Sequence, residues 1–170
     1  MQMLTARINE ATDKFRSDPA AGVTTPTVTA TLLNGRARLS SGPFNWESDL
    51  GPAIGGENLA PSPTAYLLGA LAGCGVVFLR DTLATQFGVT IDDVQATARC
   101  RADVGGLLGI EGTNPALDQI ELNITVTSRD PADRLEAMFA AWRERCPIYL
   151  ALLNPNTVLV DVRSAVAEPA

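Results

Sequence analysis

The sequence contains no histidine, a single lysine (Lys14) and only three cysteines in 170 residues. Each shortage removes a class of chemistry. Without histidine there is no Ser-His-Asp or Cys-His triad, no imidazole general base and no histidine-ligated metal centre. The lysine lies in Asp13-Lys14-Phe15, so the Gly-Lys-Ser/Thr run of a phosphate loop is missing. The cysteines form no Cys-x-x-Cys pair, which excludes a zinc ribbon and a thioredoxin-type motif, and they are too sparse for a disulfide-stapled secreted domain. Basic residues number 13 against 19 acidic ones, for a net charge of −6, and the arginines are scattered. A nucleic-acid partner needs a basic face and is not expected. Cysteine, carboxylate, arginine, tyrosine and backbone groups remain.

Long apolar runs are also scarce. The longest run of apolar residues and glycine, Ala65 to Leu79, is 15 residues, short of the roughly 18 to 20 that cross a bilayer. It reads as a buried core helix, with no membrane partner. The start, Met1-Gln2-Met3-Leu4-Thr5-Ala6-Arg7, carries charge where a signal peptide has its apolar stretch. A soluble cytoplasmic protein with one core is the expectation.

Periodicity then divides the chain. Leu4, Ile8, Ala11 and Phe15 share one face of a helix over residues 3–16, inside an N-terminal extension covering 1–26. Residues 27–170 form the main domain. Its first feature is a hairpin, Thr27 to Leu33 and Arg36 to Ser40 around Asn34-Gly35, whose two turn residues tolerate positive φ. A further strand is expected at Phe44 to Ser48. A Gly- and Pro-rich loop follows from Asp49 to Ser62, and loops of that length are usually functional. Ser62-Pro63 supplies an N-cap and a first-turn proline for a long helix running to about Phe87, with Gly88 as its stop. Alternation predicts strands through Val94, Ala96, Ala98, Cys100 and Ala102, and through Ile120, Leu122, Ile124 and Val126. Asp130-Pro131 marks another cap-plus-proline start, for a helix with Leu135, Met138, Phe139 and Trp142 in one stripe. Cys146-Pro147 opens a short apolar helix closed by Asn154-Pro155, and a last strand is expected through Val158, Val160 and Val162. The class is α+β with antiparallel sheet.

The three cysteines differ by position. Cys146 sits at a helix N-cap, where free N–H groups favour a thiolate; the plainer reading is a thiol that merely caps the helix. Cys74 lies deep in the apolar helix, where burial raises its pKa, and on its own it reads as core. Gly73 and Gly75 flank it, each costing about 1 kcal/mol relative to alanine in a helix interior, so space is needed there. Cys100 is in phase with the apolar face of its strand and reads as core.

Residues 55–75, from Gly55-Gly56 through Pro61-Ser62-Pro63 to Gly73-Cys74-Gly75, resemble the signature of the OsmC/Ohr family. Arg145-Cys146-Pro147-Ile148-Tyr149 resembles that family's Cys-Pro motif. The resemblance implies an intertwined homodimer, with antiparallel sheets around two central helices and active sites at the subunit interface. It implies thiol-dependent reduction of organic hydroperoxides and hydrogen peroxide in oxidative-stress defence, with no metal or organic cofactor and an external dithiol as reductant. Cys74 becomes the attacking thiol and Cys146 the resolving one, the reverse of the order that helix position suggests. The family also supplies an arginine from the first hairpin, here Arg36 or Arg38, and a glutamate at the start of the cysteine helix. This helix opens Pro63-Thr64-Ala65-Tyr66 without a glutamate, and Glu57 can substitute only if its loop folds over the site. Phe44, Trp46 and Tyr66 are candidates for the wall of an apolar peroxide pocket. The alternative is a non-catalytic dimer that binds a small apolar ligand at the subunit interface.

Overall fold

In the computed structural model, which describes residues 2–154 and 157–164, the chain opens with helix α1 (Gln2–Ser17). Leu4, Ile8 and Ala11 are half-buried as their spacing requires, while Phe15 stays 43% exposed with its ring over Gly22.

Strands β1 (Thr29–Leu33), β2 (Arg36–Ser41) and β3 (Phe44–Ser48) form an antiparallel sheet in that order. The first turn takes φ of +50° at Asn34 and +77° at Gly35, the geometry for which that dipeptide is suited. Every residue of β1 is exposed.

The central helix α2 (Pro63–Phe87) is 25 residues long, and by length and composition alone it is long and apolar enough to cross a membrane. Ser62 caps it, its Oγ accepting from the Ala65 amide at 3.2 Å, and Gly88 ends it at a φ of +61°. Residues Phe78–Leu83 wind as a π-helical turn, which the apolar pattern did not announce. The inner side of α2, through Leu71, Gly75, Leu79 and Leu83, is buried. Its outer side, through Ala65, Gly69, Gly73 and Val77, is exposed.

Against the inner side lies the second sheet, β4 (Asp93–Arg101) paired antiparallel with β5 (Asp118–Thr127), half-buried and exposed residues alternating along β4. Ala96 faces Ile124 across the pair, and both reach Gly75: a Cβ added there would sit 3.0 Å from Ile124 Cδ1. Gly75 is thus glycine because the sheet needs the space. Cys100 keeps the inward phase of Val94, Ala96 and Ala98 and like them is half-buried, short of the full burial expected of a core residue; a register shift lies between Arg99 and Arg101. The connection carries the short helix α3 (Val104–Leu107), capped by the Asp103 carboxylate.

Helix α4 (Ala132–Arg145) places Met138 and Trp142 in the core beside Leu79, Leu83 and Cys146. Asp130 does not cap it. Its carboxylate accepts instead from the Thr90 amide at 2.6 Å and pairs with Arg134 at 3.3 Å, tying the loop after α2 to the helix start. Helix α5 (Pro147–Leu153) follows after a single extended residue, Cys146.

The expected valine strand is corrected. Residues 157–164 form no strand pairing, and Val158, Val160 and Val162 are 78%, 77% and 88% exposed. Alternating valines specify a surface that wants a sheet, but a strand forms only where an edge receives its hydrogen bonds.

Candidate active site

Helix α2 and the α4–α5 junction converge on one point. Cys74 projects from the fourth turn of α2, and Cys146 occupies the kink where α4 ends and α5 begins. Their sulfurs are 3.1 Å apart, the Cys146 thiol donating to Cys74. Both are free thiols. A disulfide has an S–S bond of about 2.05 Å, so closing the pair requires a movement of roughly 1 Å. The two sulfurs are not equally placed. Cys146 is fully buried and its amide is bonded to the Trp142 carbonyl at 2.9 Å, whereas Cys74 keeps partial exposure. A molecule arriving from solvent meets Cys74 first.

Burial pushes the Cys74 thiol up to about 11, and the neighbouring Cys146 sulfur adds to the rise. The backbone N–H of Ile148 acts in the opposite direction by donating to the Cys74 sulfur. That amide is one of the free donors at the start of α5. The helix end that was expected to serve Cys146 therefore serves Cys74, and Cys146 makes no cap of its own. Sequence reasoning missed Ile148, although a Cys-Pro helix start announces unpaired amides in the residues that follow.

The other candidate residues are elsewhere. Arg36 is ion-paired to Glu47 at 2.8 Å within the first sheet. Arg38, opposite Glu47 in the register, is exposed. Glu57 is exposed, and its amide is held by the Asp49 carboxylate at 3.1 Å. Among the described residues none of the three bonds to either sulfur. Phe44, Trp46 and Tyr66 do not line the apolar cavity next to the thiol elements: Phe44 is 69% exposed, and the Tyr66 hydroxyl donates to the Glu47 carbonyl at 2.6 Å. Asp49, which sequence reasoning passed over, organises the Gly-Gly loop. Its carboxylate accepts from the amides of Leu50, Glu57 and Leu59 at 2.7, 3.1 and 3.0 Å. These bonds, that of Leu59 first, hold its pKa below the ordinary carboxylate value. An acidic residue directly before a Gly- and Pro-rich stretch was the available signal.

The cavity beside these elements has a volume of about 470 Å³ and is walled by Leu71, Leu122, Ile124, Phe139, Trp142 and Tyr149. Neither cysteine lines it. Among the described residues no cluster of three metal-ligating side chains comes together.

A family model described as OsmC-like protein matches residues 55–161, a span that contains both cysteines of the pair. The chain belongs to the OsmC-like family. Solved structures share the fold of this OsmC-like chain. An OsmC like protein from Mycoplasma pneumoniae superposes with a TM-score of 0.64 at 20% identity, covering 76% of this chain and 88% of that one. An organic hydroperoxide resistance protein OsmC from Legionella pneumophila gives 0.53 at 18% identity, over 77% and 90% of the two chains. An osmc-like hydroperoxide resistance protein from Jannaschia sp. gives 0.51 at 21% identity, over 82% and 91%. No curated protein matches this chain.

Proposed function

We propose that this OsmC-like chain is a two-cysteine peroxidase that reduces organic hydroperoxides and hydrogen peroxide. The observation that carries this reading is the 3.1 Å contact between a partly exposed Cys74 sulfur and a buried Cys146 sulfur. The Cys74 thiolate attacks the terminal oxygen of R–O–O–H, an S–O bond forms as the O–O bond breaks, and the alkoxide leaves to be protonated to ROH. Cys74 is then a sulfenic acid. Cys146, already in contact, displaces its hydroxyl as water and forms the disulfide. An external dithiol reduces the disulfide by exchange and becomes a disulfide itself.

The thiolate needs help, because Cys74 sits at about 11 within the single chain. A homodimer supplies that help in this reading. The exposed Ala65, Gly69, Gly73, Val77 side of α2 admits a second copy of the helix at close range, and the first hairpin of that copy brings a cation to the sulfur. Arg38 suits the role better than Arg36, which is committed to Glu47. A cytoplasmic setting, where a dithiol pool keeps the pair reduced, completes the proposal.

The test is peroxide consumption with dithiothreitol as reductant, read beside mass mapping of the thiols. Cys74→Ser is expected to lower cumene hydroperoxide consumption by at least about a hundredfold. Cys146→Ser should permit one oxidation of Cys74 and then block disulfide formation. One equivalent of peroxide should link Cys74 to Cys146 and leave Cys100 free. Equal, slow clearance by wild type and Cys74→Ser overturns the reading.

A further inference from the structure

Helix α4 passes the chain to α5 through one extended residue, and that residue carries a reacting sulfur. Cys146 stands at φ −69° and ψ 112°. Its amide closes the last turn of α4 on the Trp142 carbonyl at 2.9 Å, and its carbonyl accepts from the Leu150 amide of α5 at 3.0 Å. The bend brings two rings together across it. Trp142 and Tyr149 are seven residues apart, which on a straight helix means about 10 Å along the axis. Here their ring centroids are 5.3 Å apart, with planes tilted by 35°. Trp142 is buried in the core with Cys146, Leu83 and Met138, so it is the fixed half of the pair. Tyr149, half-buried on α5, is the half that it holds.

Rotation about the N–Cα bond of Cys146 moves its Cβ, its sulfur and the whole of α5 as one piece. A ring contact that anchors α5 therefore also anchors the sulfur. The margin is narrow. The two sulfurs, 3.1 Å apart, must close to about 2.05 Å in a disulfide, and a misplacement of about 1 Å can cost a hundredfold in rate. We propose that Tyr149 is a positioning residue: held against Trp142, it keeps the Cys146 sulfur on Cys74 for disulfide formation. As a part of catalysis this rests on the two-cysteine peroxidase reading; as a property of the dithiol it does not. The amide of Ile148 travels with α5 as well, but sulfur is a weak acceptor, so attack on peroxide depends on Tyr149 far less than resolution does.

Stopped-flow oxidation of the full chain separates the two steps, the first proportional to cumene hydroperoxide concentration and the second independent of it. Tyr149→Ala should slow the second step at least about tenfold and the first by less than about threefold. Sulfenic acid should then accumulate at Cys74 and be trapped by dimedone. Tyr149→Phe, which keeps the ring, should match wild type. In dithiothreitol redox buffers without peroxide, the Cys74–Cys146 disulfide of Tyr149→Ala should be at least about tenfold less favoured than that of wild type. This measurement holds even for a chain that consumes no peroxide, so failure of the peroxidase reading and failure of the positioning role are separate results. Should Tyr149→Ala not fold, Tyr149→Leu keeps apolar bulk without the flat ring and should shift the same equilibrium at least about threefold. An unchanged equilibrium in the folded variant overturns the inference. So does equal slowing of both steps, which is a merely structural effect, or a Tyr149→Phe protein that behaves like Tyr149→Ala.

Discussion

The two sheets of this OsmC-like chain stand in different relations to the rest of it. The β4–β5 sheet lies on the inner side of α2, with Ile124 pressed close to Gly75, and its other contacts feed the core around Leu79, Leu83 and Met138. The β1–β2–β3 sheet has an entirely exposed first strand, and its recorded ties to α2 include the Tyr66 hydroxyl on the Glu47 carbonyl. The dithiol belongs to the packed half; the hairpin arginines belong to the open half. What the chain folds by itself is therefore a pair of touching sulfurs, not an activated one.

The largest expected effect tests that separation. Arg38→Gln should slow peroxide oxidation of Cys74 by about a hundredfold at pH 7, since each unit of thiol pKa is a tenfold change in thiolate. A raised thiol pKa makes the thiolate scarce at neutral pH and more abundant as pH rises. In Arg38→Gln the stopped-flow rate should accordingly climb toward pH 11, while wild type levels off well below it. Identical profiles in the two proteins sever the open sheet from the chemistry.

Stability should divide along the same line. Leu83 is fully buried, and Leu83→Ala should cost about 2 to 5 kcal/mol in denaturant unfolding. Leu32 in β1 is 83% exposed, and Leu32→Ala should cost less than about 0.5 kcal/mol. A loss at Leu32 that grows with protein concentration means that a second copy covers the open sheet.

The two glycines beside Cys74 sharpen the contrast within a single turn. Gly75→Leu drives a side chain into Ile124 and should cost about 1 to 3 kcal/mol. Gly73 faces open space, so Gly73→Leu should not destabilise the chain, gaining up to about 1 kcal/mol of helix propensity, and should instead weaken self-association in sedimentation. Were both variants to fold and associate like wild type, the outer side of α2 would have no partner.

The smallest effect belongs to the loop between the halves. The depressed pKa of Asp49 means its hold on the loop is fully present above about pH 4, the unfolded value, and is lost as pH falls through the lower folded one. Hydrogen exchange at the Glu57 and Leu59 amides should quicken below that pH in wild type, and at all pH values in Asp49→Asn.

Where local chemistry decided the structure, the sequence was legible. Asn34-Gly35 could only be a tight turn, Ser62-Pro63 only a helix start, and the alternation through Val94 and Ile124 only a half-buried strand. The pairing of Cys74 with Cys146 was implied by family resemblance alone, because contact between residues 72 apart depends on packing that no spacing encodes. The valines at 158, 160 and 162 had the right pattern and no edge to join. Asp130 had the right neighbours for a cap, but a stronger claim came from the Thr90 amide across the fold.

The π-helical turn at Phe78–Leu83 has a consequence for phase. An α-helix turns 3.6 residues per revolution, so positions four apart drift by about 40° each time. From Leu71 through Gly75 and Leu79 to Leu83, three such steps would rotate the stripe by about 120°, enough to swing its end away from the sheet. A turn closed by i→i+5 bonds holds more residues per revolution and winds the stripe back. One wide turn thus works as a vernier, letting a helix with a strict four-residue repeat keep a single bearing from the glycine beside the thiols to the leucine at the centre of the core.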